Sequence, residues 1–171
     1  MKISLLTLVS ILLSMITVSY AGEWSKIRIG TEGAYPPWNG TNAAGELEGA
    51  EIDLAADLCA RMNAECELVV QDWDGMIPAL EIGKFDAIMA GMSITEERRV
   101  KIDFSIGYMT EPASLSALSG SALGTLKAPG KLNLDNMNSE AKGLLATIQS
   151  VLAGKTVGVQ TSTTHENFLN E

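Results

Sequence analysis

The chain has 171 residues, with 21 acidic against 12 basic side chains and a formal net charge of −9. That balance repels nucleic-acid phosphates and anionic lipid heads, which argues against both as partners, and an acidic surface fits a soluble carrier that attracts cationic small molecules. The composition is globular, and no stretch beyond Val18 is apolar enough to span a bilayer.

Met1-Lys2 precedes an apolar run from Ile3 to Val18 and then Ser19-Tyr20-Ala21. This pattern predicts a secretory signal peptide over residues 1–21, cleaved after Ala21, because the run is too short and too interrupted by Ser and Thr for a membrane span. No cysteine follows the cleavage point to carry a lipid anchor. The only two cysteines, Cys59 and Cys66, lie close together in a chain bound for an oxidising compartment, so a disulfide is expected. Zinc would need more ligands, and the single histidine, His165, is distant in sequence. No metal and no other cofactor is expected.

Ile27 to Thr31 alternates apolar and polar residues and predicts a strand, running into a Pro-rich loop, Glu32 to Trp38. Gly45 to Gly49 makes a turn and a short extended piece. Glu51 to Met62 carries Ile52, Ala55, Cys59 and Met62 at helical spacing. A second strand is predicted over Glu67–Val70, a helix over Asp74–Ile82 with Pro78 near its start, and a third strand over Phe85–Met89. The β-α-β-α-β alternation implies a parallel sheet with helices on its faces. Glu32, Trp73 and the stretch Gly91 to Arg98 each follow a strand, where open α/β sheets gather their ligands.

Ala90 to Arg98 offers small residues, hydroxyls and one arginine. Gly91 and Ser93 let backbone approach a ligand, Thr95-Glu96-Glu97-Arg98 opens a helical turn, and Arg98 brings a planar fork that matches a carboxylate. The bland reading is a strand, a capped turn and a solvated arginine. Tyr35 and Trp38 could likewise cover the core, and Trp73 could cap a helix. Farther on, short strands are predicted at Ile102–Phe104 and Ser114–Leu118, a long surface loop over Gly120–Asn138, and an amphipathic helix over Ser139–Leu152 capped by Ser139. A strand over Thr156–Gln160 and a last helix opening at Thr161 to Glu166 complete the chain.

The motifs Ile29-Gly30-Thr31-Glu32-Gly33-Ala34-Tyr35-Pro36-Pro37, Glu51-Ile52-Asp53-Leu54, Trp73-Asp74-Gly75-Met76-Ile77-Pro78, Asp86-Ala87-Ile88-Met89 to Arg98, and Val157-Gly158-Val159-Gln160 together resemble the periplasmic solute-binding proteins of polar amino acid ABC importers. The branch most similar is that for lysine/arginine/ornithine, histidine and opines. The insert from Gly120 to Gly154 looks most like octopine- and nopaline-binding members. The resemblance implies an α/β, two-lobed type II periplasmic-binding-protein fold. Lobe one would span residues 22–110, nearly complete except for its returning segment, and 111–171 would begin lobe two. Family members continue well past Glu171, and the lobe-two acid that usually meets the α-ammonium is missing here. A C-terminally truncated chain, poorly stable and weakly binding by itself, is the expectation.

The resemblance further implies the site residues. Arg98 would pair with a ligand's α-carboxylate, helped by backbone N–H groups at Ser93 and Thr164. The Gly91 carbonyl and Ser93 hydroxyl would take the α-ammonium, Tyr35, Trp38 and Trp73 would wall the side-chain channel, and Glu32 would meet a positive group at its end. Gln160 and His165 complete the set. A cationic ligand also follows from the residues, since Glu32 is a charge-assisted acceptor and an indole attracts a guanidinium over its face. Ala90-Gly91 lacks a hydroxyl that relatives carry, which would widen the pocket. The function implied is a periplasmic receptor, a monomer and not an enzyme, that captures arginine, lysine, ornithine or an opine and delivers it to an ABC permease. The alternative is an exported cyclohexadienyl or arogenate dehydratase-like enzyme on the same fold, with Glu32 or His165 as acid or base; a lone histidine is otherwise a helix-start residue.

Overall fold

The computed structural model describes residues 24–126, 131–133 and 136–170. The expected signal segment, residues 1–21, lies outside the described residues, as do 127–130, 134 and 135 of the expected long loop. The chain divides into two compact units, with the division between Met92 and Ser93. No helix among the described residues is long and apolar enough to cross a membrane.

The first unit is built on a three-stranded parallel sheet. β1 (Lys26–Thr31) pairs with β4 (Glu65–Val70) on one side and with β5 (Ala87–Ile88) on the other. Between β1 and β4 lie the two-residue strands β2 (Gly40–Thr41) and β3 (Leu47–Glu48), which form an antiparallel hairpin, and helix α1 (Ala50–Met62). Between β4 and β5 a 3₁₀ turn, Trp73–Gly75, leads into α2 (Met76–Glu81). Pro78 is tolerated because it falls in the first turn of α2, where its missing N–H would have had no helical partner.

Right-handed crossovers that step from β1 to one side and then across to the other put their helices on opposite sheet faces. The core follows that rule. Ile27 and Ile29 of β1, Cys66 and Leu68 of β4, and Met89 gather with Ala55 and Cys59 of α1. Val69 and Ile88, one residue out of phase, gather with Met76 and Ala79 of α2 and with Phe85 and Ala90. Phe85, 1% exposed, lays its ring against β1, where a Cβ on Gly30 would come within 2.7 Å of ring carbons. Gly30 is thus fixed by packing.

Two devices hold the amino-terminal ends of the strands. Cys59, in the last turn of α1, is bridged to Cys66 at the start of β4, so the expected disulfide is present. At β5, the Arg28 fork donates from Nη2 to Asp86 Oδ1 at 2.7 Å and from Nε to Oδ2 at 3.1 Å, while the Arg28 N–H donates to Oδ2 at 2.8 Å. Hydrogen bonding to Arg28 holds the Asp86 carboxyl below its ordinary value.

The second unit departs from several sequence expectations. Helix α3 (Glu96–Arg99) is the expected turn, with Thr95 accepting from the Arg98 N–H. α4 (Ser139–Leu152) has the expected span, but its cap is Asn138, whose Oδ1 accepts from the Ala141 N–H at 2.8 Å, and Ser139 is the first helical residue. The strands expected at Ile102–Phe104, Ser114–Leu118 and Thr156–Gln160 are not formed. Each would need a laddered neighbour, and no strand is paired among the described residues of this unit. α5 (Thr164–Asn170) follows the expected helix start.

Two measurements check these ties. Cys59→Ser should lower unfolding free energy by about 2–3 kcal/mol in urea, the chain-entropy value for so short a closed loop, and the same shift should follow reduction of the unsubstituted protein. Because the Asp86 carboxyl is depressed in the folded state, its contribution is fully present above the unfolded value of 3.8 and is lost as pH falls through the folded value. The stability gap between the parent and Asp86→Asn, followed by urea titration from pH 7 downward, should therefore close below about pH 4; a gap independent of pH would exclude that role.

Candidate functional site

The parallel sheet delivers the loops after β1, β4 and β5 to one edge, and strand order β4-β1-β5 reverses direction between β1 and β5. A crevice outside the carboxyl ends of such strands is where open α/β sheets take ligands. Glu32 directly follows β1, Trp73 opens the 3₁₀ turn after β4, and Gly91 follows β5 by three positions. All three, with Tyr35 and Trp38, are half-buried. Trp73 also packs against the Met76, Ala79, Phe85 and Ala90 cluster, so it serves the core as well.

The loop after β1 is tied down bond by bond. The Tyr35 N–H donates to the Asn39 carbonyl, and the N–H groups of Trp38 and Asn39 donate to the Tyr35 carbonyl at 2.9 Å. The Pro37 and Trp38 carbonyls then accept from the N–H groups of Ala50 and Glu51, at 3.0 and 2.8 Å. These are N–H groups that the start of α1 cannot satisfy internally. Gly49 makes this junction possible, because its φ of 125° is open mainly to glycine and a Cβ there would collide with the Trp38 carbonyl.

Beneath the loops lies a buried polar chain. The Gly33 N–H donates to Asn39 Oδ1 at 2.9 Å, Asn39 Nδ2 donates to Glu51 Oε2 at 2.6 Å, and the Gly91 N–H donates to Glu51 Oε1 at 2.8 Å. The amide orientation of Asn39 is forced, because a backbone N–H cannot accept and a carboxylate cannot donate. Asn39 and Glu51 are 0% and 2% exposed. A carboxylate taken out of water needs donors and a favourable field; the two N–H partners and the positive start of α1 supply them.

Neither Asn39 nor Glu51 stands among the residues expected from the sequence. A signal for Glu51 was nonetheless there, because it lies one and two helical repeats of four before Ala55 and Cys59, in line with the buried stripe of α1. An acid on an apolar stripe needs a partner, and sequence spacing does not reveal that the partners are Asn39 and the Gly91 N–H.

In the second unit, Arg98 is half-buried and its guanidinium donates from Nη1 to the Ser93 carbonyl at 2.8 Å and from Nη2 to the Ser162 carbonyl at 3.0 Å. Burial lowers the Arg98 pKa, and Glu97 opposes the shift. Ser93, Gln160 and His165 are exposed and Thr164 is half-buried. At the start of α5 the Thr163 hydroxyl accepts from the Glu166 N–H at 3.2 Å, and the Glu166 carboxylate accepts from the Ser162 N–H at 2.7 Å. The chain thus supplies an anion of its own to that helix start.

The chain matches the family of bacterial extracellular solute-binding proteins, family 3, over residues 27–163. The octopine-binding periplasmic protein of Rhizobium meliloti is 42% identical, covering 87% of this chain and 51% of its own. The histidine-binding periplasmic protein of Salmonella typhimurium is 37% identical, covering 92% and 52%. The lysine/arginine/ornithine-binding periplasmic protein of Escherichia coli is 35% identical, covering 100% and 58%. The chain spans about half the length of the curated relatives it matches.

The loop anchoring is open to a direct test. Gly49→Ala should cost more than the about 1–3 kcal/mol of a strained φ alone, since a clash against the Trp38 carbonyl is added. Gly45→Ala, also at positive φ but with no atom within 4 Å of the added Cβ, should cost about 1–2 kcal/mol, the left-handed backbone penalty without a clash. Equal costs for the two, read from urea midpoints, would rule out the Trp38 contact as the constraint.

Proposed function

Because the chain belongs to family 3 of the bacterial extracellular solute-binding proteins, with their two-lobed α/β fold, we propose that it is a periplasmic receptor for a cationic amino acid or opine. The class is arginine, lysine, ornithine, octopine or nopaline. The observation that carries this reading is the gathering of Glu32, Tyr35, Trp38, Trp73 and Gly91 on the carboxyl edge of one parallel sheet. It brings an acid and aromatic faces together, the chemistry that attracts a guanidinium or an ammonium.

In this reading Glu32 meets the positive end of the ligand side chain and Tyr35, Trp38 and Trp73 wall its path. The Gly91 carbonyl and Ser93 hydroxyl accept from the α-ammonium. Arg98 pairs with the α-carboxylate, aided by the N–H groups of Ser93 and Thr164, and Gln160 and His165 border the ligand. The carbonyls of Ser93 and Ser162 support the Arg98 role by fixing the direction in which its planar fork points. The protein acts as a monomer after removal of residues 1–21, with lobe one ending near Thr110, and hands its ligand to an ABC permease. The relatives reported above are binding proteins by name, which favours a receptor over a dehydratase.

Protein purified from the periplasm of its own host, titrated with arginine, lysine, octopine and nopaline and followed by tryptophan fluorescence, should saturate with at least one of them and return it with unchanged mass. Glu32→Gln should weaken arginine binding by about 1.5–3 kcal/mol, roughly 10- to 150-fold, the worth of a charged hydrogen bond, while hardly changing glutamine binding. Arg98→Lys should weaken every α-amino acid tested. Saturation by none of them, or release of a dehydrated product, would refute the receptor assignment.

A further inference from the structure

Asn39 and Glu51 form a span between two loops that, on the reading above, hold opposite ends of one ligand. Gly33, whose N–H donates to Asn39, adjoins Glu32, the acid assigned to the ligand side chain. Gly91, whose N–H donates to Glu51, carries the carbonyl assigned to the α-ammonium. The Asn39–Glu51 bond at 2.6 Å joins the two, and all four groups belong to the first unit.

We propose that the Asn39–Glu51 bridge is a spacer that selects ligand length: it fixes the distance from Glu32 to the Gly91 carbonyl and so sets how many bonds separate the two charged ends of the amino acid accepted. The inference rests on the proposed receptor function, and both residues are positioning residues that need no ligand contact.

Three features make the bridge suited to measuring. It is buried, so water does not offer competing bonds that would let it stretch. Its carboxylate is carried by the first turn of a thirteen-residue helix, not by a loop. Each of its ends grips backbone: the Glu32–Gly33 and Ala90–Gly91 peptides are held through their N–H groups, and the Gly91 carbonyl follows one Cα on, at a φ of 61°. A Thr41 hydroxyl donating to the Gly33 carbonyl at 2.8 Å holds the next peptide, so Gly33 is fixed on both sides of its Cα.

The bond directions supply a specific test. In Glu51→Gln the new side chain has one acceptor for two donors, so either the Asn39 amide or the Gly91 N–H loses its partner. In Asn39→Asp two carboxylates face each other. In the double exchange Asn39→Asp/Glu51→Gln every bond of the chain returns with the central one reversed: Gly33 N–H to Asp, Gln amide to Asp, Gly91 N–H to the Gln carbonyl. Calorimetric titration at pH 7 with 2,4-diaminobutyrate, ornithine, lysine and arginine, on protein from the host periplasm, gives a length profile for each form.

The parent should favour one length. Glu51→Gln should compress the ratio between best and worst ligand by tenfold or more, with the Gly91 amide proton moved in the nuclear magnetic resonance spectrum, and the double exchange should restore both the ratio and the resonance. Asn39→Ala opens the span from its other end and should compress the profile in the same way, which keeps the test decisive where Glu51→Gln does not fold. Parallel weakening at every length, or a parent profile already flat, would overturn the spacer. A parent that binds none of the four would instead refute the receptor function, a different result from parent binding with parallel losses.

Discussion

A buried carboxylate that accepts at both oxygens constrains the first unit more than any apolar contact does. Hydrophobic packing against α1 is tolerant in direction, whereas the bonds from Asn39 and Gly91 to Glu51 require atoms at fixed distance and angle. Removing either partner leaves a desolvated polar group, and that cost makes the arrangement all-or-none. The loop after β1, the start of α1 and the loop after β5 therefore adopt one geometry together. The same junction is tied by backbone as well, through the Pro37 and Trp38 carbonyls and the positive φ of Gly49.

Electrostatics divides the sheet into two different ends. The amino-terminal end carries paired ions, Arg28 with Asp86 and Lys26 with Glu67. Both pairs meet solvent; the single Lys26–Glu67 contact is weak, whereas the forked Arg28–Asp86 pair also ties down the Arg28 backbone. The carboxyl end carries backbone N–H and carbonyl groups, aromatic faces and Glu32, with its acid Glu51 kept underneath. Charges at the first end satisfy one another; at the second the polar groups are arranged around an edge. A short β5 is sufficient because Asp86 and Met89 extend its backbone bonding to Arg28 and Gly30 beyond the two laddered residues.

The sequence carried the first unit's order well because its elements are set by local pattern. Ile27 to Thr31 alternates, α1 repeats at helical spacing, and the β-α-β-α-β order leaves few topologies open. What local pattern cannot carry is pairing. β4 begins at Glu65, two residues before its alternation is visible, because Lys26 offers it a partner. Thr156 to Gln160 has a strand's composition yet stays unpaired among the described residues. The placing of Glu32, Trp73 and Gly91 at the carboxyl edge was legible because each follows a strand. Asn39 and Glu51 were not, because their meaning comes from one another across a loop. The exchange of Ser139 for Asn138 as cap shows the same limit on a smaller scale, since adjacent Asn and Ser are near equals in preference and backbone geometry decides.

Helix α1 is held at both ends, by Glu51 and the Pro37 and Trp38 carbonyls at its start and by the Cys59–Cys66 bridge in its last turn. At about 1.5 Å per residue, it is a strut about 20 Å long running alongside the sheet. Its loops cannot wander independently of it, so most of their conformational entropy is surrendered when the chain folds. For the receptor function proposed, a ligand at the carboxyl edge would have correspondingly little disorder left to remove there, and more of its interaction energy would be expressed as affinity.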